Sequence, residues 1–189
     1  MNLRLLFVLL LLVASLAIIS PRATAQRDHL TPEEVDLVKD AQILDKRIDV
    51  FIKAADRRMI ALSGSDATNA KQLKKDSETW GGLPTGSRAE LIGDIAKIFD
   101  EAITNIDDVS TRDESNPLIP KALRKLAAAA MRIVEQLKPI ETRATGDAEV
   151  SNFDQLAENA QSIVDAANRL PPPAEKKPKA KTDKVKATN

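Results

Sequence analysis

Apolar positions recur along most of the chain at alternating spacings of three and four, the signature of one face of an α-helix. The first such series runs Leu37, Ala41, Leu44, Ile48, Phe51, Ala55, Met59 and Leu62, until Ser63-Gly64 ends it. Just upstream, TPEE (residues 31–34) offers Thr31 as N-cap, Pro32 at the first helical position and two acids in the first turn. Each suits the unpaired amides and the positive dipole end there. The pattern predicts a single helix over 32–62, roughly 46 Å long at 1.5 Å per residue. Lys53, Arg57 and Arg58 fall toward its end, as the dipole prefers, and Asp45, Asp49 and Asp56 read as a solvated face.

Three more helices follow. S-R-A-E (87–90) has the form of a capping box, and Ile92, Ile95, Phe99, Ala102, Ile106 and Val109 mark a helix over about 88–110. A helix over about 117–143 opens at Asn116-Pro117, or a turn later at Pro120. Its stripe is Ile119, Leu123, Leu126, Ala130, Ile133, Leu137 and Ile140, and Pro139 is expected to end or kink it. The last, over 147–170, carries Phe153, Leu156, Ala160, Ile163, Ala167 and Leu170 until Pro171 to Pro173 stop it.

Four amphipathic segments, short links between the last three and no β-rich run predict an all-α fold, an antiparallel four-helix bundle over 31–170. A three-helix bundle with one long arm, or a coiled coil completed by dimerising, has the same pattern. The second helix is acidic (Glu90, Asp94, Asp100, Glu101, Asp107, Asp108) and the third basic (Lys121, Arg124, Lys125, Arg132, Lys138, Arg143), which favours them as neighbours. Ala127 to Ala130 allow close helix approach.

The connection 63–86 is too long for a simple bundle link. The simplest reading makes Asn69 to Thr79 a short extra helix and folds Trp80, the only tryptophan, over one end of the bundle. A sharper one makes Trp80 with Lys71, Lys74 and Lys75 a contact site for a partner or glycan.

The two ends differ from the body. Residues 1–25 combine Arg4, an apolar block from Leu5 to Ile19, Pro21 and Ala23-Thr24-Ala25, which reads as a secretory signal peptide cleaved before Gln26, the alternative being an uncleaved membrane anchor that Pro21 and the small-residue site disfavour. A flexible stretch, 26–30, would follow, and no transmembrane helix is expected in the mature chain. There is no cysteine, so neither a lipid anchor nor a disulfide is available to an exported protein. Of the 28 cations, two lie before residue 26 and six after residue 170, leaving 20 against 26 acids in the body. The tail 171–189 instead has six lysines, Lys176, Lys177, Lys179, Lys181, Lys184 and Lys186, against two acids. Its proline and lysine content predicts disorder and a weak, salt-sensitive attraction to an anionic envelope surface or an acidic protein, with no sequence-specific reading of nucleic acid.

Little catalytic chemistry is encoded. Cysteine and tyrosine are absent, and the single histidine, His29, precedes the first cap. No Glu-x-x-His pair, phosphate loop or calcium loop occurs, and Met59 and Met131 lack a facing histidine for haem. No metal or cofactor is expected. The reading is a non-enzymatic periplasmic or secreted bundle, an envelope-associated binding or scaffolding module tethered by its tail. The alternative is a chaperone-like or ligand-carrying bundle with a groove under 63–86.

Overall fold

The computed structural model describes residues 28–64 and 67–172, with the backbone only for 67–73. The predicted signal segment and the tail lysines lie outside these residues. Within them the protein is all-helical: α1 (Pro32–Asp40), α2 (Leu44–Ser63), α3 (Ala67–Trp80), α4 (Arg88–Arg112), α5 (Leu118–Glu141) and α6 (Asp147–Asn168). No described helix is long and apolar enough to cross a membrane.

Local chemistry explains most boundaries. Thr31 Oγ1 accepts from the Glu34 amide while Glu34 Oε2 accepts from the Thr31 amide, and Ser87 and Glu90 repeat the arrangement at α4. Asn116 Oδ1 accepts from the Leu118 amide where α5 begins. Pro139 falls in the last turn of α5, which ends two residues later.

The long first helix predicted over 32–62 is two helices. The chain leaves helical geometry at Ala41 (ψ 80°) and re-enters after Ile43. Arg47 Nε and Gln42 Nε2 donate to the carbonyls of Ala41 and Lys39. The reason lies further on. Glu34 bonds to Arg57 and Arg58, whereas an unbroken helix would hold residues 23 positions apart at about 35 Å. Folding α1 back onto α2 is the only way to pair them. The connection 63–86 likewise contains α3, which rests on α1.

α2, α4, α5 and α6 enclose one core containing Ile48, Phe51, Phe99, Leu126, Ile133 and Ile163. Their polar contacts fix the directions. Lys121, Lys125 and Arg132 meet Asp45, Asp49 and Asp56 at a constant separation of 76 residues, so α2 and α5 run parallel. Asn152 and Asn159 donate to the carbonyls of Ala89 and Ala96 at a constant 63, so α4 and α6 do too. Arg47 with Asn105 and Arg58 with Asp94 make α2 and α4 antiparallel. α2 and α6 do not pack on each other. Successive helices alternate in direction; besides the antiparallel neighbours α2/α4 and α5/α6, the first also lies beside the third and the second beside the fourth, in parallel. Lys121, Lys125 and Arg132 of α5 therefore find their acids on α2, not on α4 as charge alone suggests.

Gly81 marks the turn after α3. Its φ is +66°, and a Cβ there would lie 2.7 Å from Glu33 Cδ. Gly81→Ala is expected to lower stability by about 1–2 kcal/mol, the cost of a left-handed conformation for an alanine, read as a shifted urea midpoint at unchanged slope.

Candidate functional site

The densest polar cluster lies where the N-terminal segment, α1, α2, α4 and the turn after α3 meet. It holds Glu34, Arg57, Arg58 and Asp94, all less than 5 % exposed. Glu34 Oε1 accepts from Arg57 Nε at 3.0 Å and from Arg58 Nη1 at 2.6 Å. Its other oxygen caps α1. Arg57 Nη2 also donates to the carbonyls of Trp80, at 2.9 Å, and of Gly81 and Gly82. Arg58 donates to the carbonyls of Ala54, at 3.0 Å, and His29, at 2.6 Å. Asp94 Oδ2 stands 3.9 Å from Arg58 Nε, a buried nitrogen with no hydrogen-bond partner. Two positive and two negative charges balance, as burial requires.

His29, expected to be in a flexible stretch, is held twice: its ring bonds Glu101 of α4 at 2.7 Å and its carbonyl takes the Arg58 bond. Leu30 beside it enters the core. The two arginines are likewise not dipole decorations. Phe51, Ala55, Arg58 and Leu62 recur at four, three and four, so Arg58 occupies a stripe position, a signal of burial readable in the sequence. Glu34 gave no such signal, because its role depends on the fold-back of α1.

The parallel α2/α5 seam is the second cluster. Asp45, expected on a solvated face, is buried and paired with Lys121 and, at 3.6 Å, with Lys125. The Lys121 hydrogen bond lowers the Asp45 pKa from its ordinary 3.8, against the opposing effect of burial. Its stabilising contribution is thus present above about pH 4 and lost as the pH falls through the lowered folded value. The stability difference between wild type and Asp45→Asn is expected to hold from pH 7 to 5 and to shrink below pH 4, as measured by urea unfolding.

The residues singled out in the connection are only partly brought together. Lys74 and Lys75 are exposed on α3, and Lys71 belongs to the same helix. Trp80 ends that helix, half-buried against the core, with the Arg57 guanidinium 5.7 Å from its ring centroid. Among the described side chains its cationic partner is thus a buried arginine. The tail lysines lie outside the described residues, but the chain leads toward them beside α5, where Arg124 donates to the Pro171 carbonyl.

Two surface grooves are notable. One of about 510 Å³ lies between α2 and α5, lined by Met59, Ile60, Leu62 and Ile140 together with Lys53 and Arg132. Another of about 340 Å³ lies between α5 and α6, lined by the exposed Met131 with Val134, Ala157 and Val164. Among the described residues no group of three or more His, Asp or Glu is placed to hold a metal ion. Compared with models of protein families, with proteins of curated function and with solved structures, the chain matches none.

Proposed function

We propose that the protein is an exported, non-enzymatic four-helix bundle that acts as an envelope-associated binding or scaffolding module, its lysine tail serving as an electrostatic tether. The observation that carries this reading is the separation of charge between the two parallel helix pairs. Leaving aside the buried Arg57, Arg58, Asp45, Asp94 and Glu149, α2 and α5 carry eight Lys and Arg against four acids; α4 and α6 carry nine acids against three cations, and α6 has no Lys or Arg at all. Pro171, the start of the tail, is bonded to Arg124 on the cationic side, close in sequence to Lys121 and Lys125. Tail and cationic face would then address one anionic surface together, with the acidic side turned away. Several lysines acting as point charges give attraction that salt removes and that selects little among anions.

The test is sedimentation of the mature protein with anionic and neutral vesicles at rising salt, with and without Lys176 to Asn189. The full chain is expected to pellet with anionic vesicles at low salt and to be released by salt. The truncated form should bind at least about tenfold more weakly, since each lysine near such a surface contributes on the order of 1 kcal/mol. Equal binding by both forms, or none by either, would refute the tether.

A second reading, a ligand-carrying bundle, draws support from the α2/α5 groove. It lies at the end of α2 that leads into the connection, and its lining mixes apolar side chains with Lys53 and Arg132. An apolar dye displaced by a fatty-acid-like anion, and lost in Met59→Lys, would favour it.

A further inference from the structure

We propose that Arg57 and Arg58 form a carboxylate-binding socket that α1 fills with Glu34, so that α1 is a displaceable strap. When the strap lifts, the socket takes an acidic side chain of another polypeptide. The inference does not depend on the tail.

The socket is built without Glu34. Arg57 is oriented by three carbonyls and by the Trp80 ring. Arg58 is oriented by the carbonyls of Ala54 and His29 and lies near Asp94. Take the Glu34 carboxylate away and two fixed donors, Arg57 Nε and Arg58 Nη1, still converge on one point. Arg58 Nε, buried without an acceptor, leaves further donor capacity unused. Oriented arginine donors of this kind suit a carboxylate. The carbonyls of Trp80, Gly81 and Gly82 crowd the same guanidinium and would repel the extra oxygens and charge of a phosphate.

The strap, by contrast, is lightly attached. Among the described helices α1 packs only on α2 and α3, and Glu34 is its only buried residue. Val35 and Val38 touch the core from partly covered positions. A nine-residue helix has little stability of its own. Its hinge to α2 at 41–43 ends in Ile43, which makes no side-chain cap and is 54 % exposed. Beyond the His29 and Leu30 anchors that precede it, α1 is held down chiefly by one carboxylate, and another carboxylate can compete for the same donors.

The experiment uses the full mature chain, its Glu34→Ala variant and the isosteric Glu34→Gln. Hydrogen exchange over 32–40 is expected to quicken at least about tenfold in both variants while α4, α5 and α6 keep their protection. Acetate, compared with chloride at equal ionic strength, should raise the melting temperature of Glu34→Ala and not that of wild type. An acetate effect matched by chloride or by inorganic phosphate would overturn the carboxylate assignment. In the wild type, α1 amides should exchange by a local opening; exchange only together with the core helices would overturn the strap, even if both variants failed to fold.

Discussion

Arg58→Ala is expected to cost about 3–5 kcal/mol, the loss seen when one member of a buried charge pair is removed, and on the order of 10 °C in melting temperature for a chain of this size. Arg58 joins three parts of the protein: Glu34 on α1, the His29 carbonyl in the N-terminal segment and, more distantly, Asp94 on α4. Glu34 keeps its bond from Arg57 Nε and can also lift into water with its strap. Asp94, 4 % exposed on a helix that packs against α2, α5 and α6, cannot. The side chain removed is also among the largest that are fully buried, so a void adds to the charge effect. Glu34→Ala should therefore cost less than Arg58→Ala, although both break the same ion pair. Urea unfolding of the two variants side by side measures the order; equal or reversed costs would mean that α1 is as firmly bound as the core.

The same contrast explains what could be read from the sequence. The α4, α5 and α6 stripes, from Ile92 to Ile163, face the core as their three-and-four spacing predicts, and the Ser87 cap forms as written. Those features are local: each depends on residues within a turn or two. The break at Ala41 and the burial of Glu34 are not local. The apolar series passes through Leu37, Ala41 and Leu44 without interruption, and only the tertiary pairing of Glu34 with Arg57 and Arg58 outweighs helix continuity. The neighbours of the basic helix were hidden for a related reason. Net charge says that α5 prefers an acidic partner, and α4 is the more acidic choice. The partnership follows register instead: Asp45, Asp49 and Asp56 recur at four and seven on α2, and Lys121, Lys125 and Arg132 recur at the same intervals on α5. Matched spacing on two parallel helices lets three pairs form at once, which total charge does not show. The tail lysines are plain in the sequence but lie outside the described residues.

Phe99→Ala carries the other large effect, an expected loss of about 3–5 kcal/mol for emptying a fully buried aromatic site. Phe99 has no exposed surface and belongs to α4, one of two helices that each pack against the other three of the core. Because neighbours on several sides are themselves fixed, the site cannot collapse easily, and the cost should fall at the upper part of the range. Phe99→Leu retains most of the volume and should cost about 1.5 kcal/mol or less. Trp80 is the informative control. It has the larger ring, and area alone would rank it first, yet it is only partly covered, and it stands with Arg57 over its ring at the end of a peripheral helix. Trp80→Ala should thus cost less than Phe99→Ala and act chiefly on the turn at Gly81 and Gly82, whose carbonyls would still hold Arg57. Thermal melts of the three variants decide the matter: if Trp80→Ala is the most damaging, the centre of stability lies at the strap end of the molecule and not along the shared axis of α4 and α5.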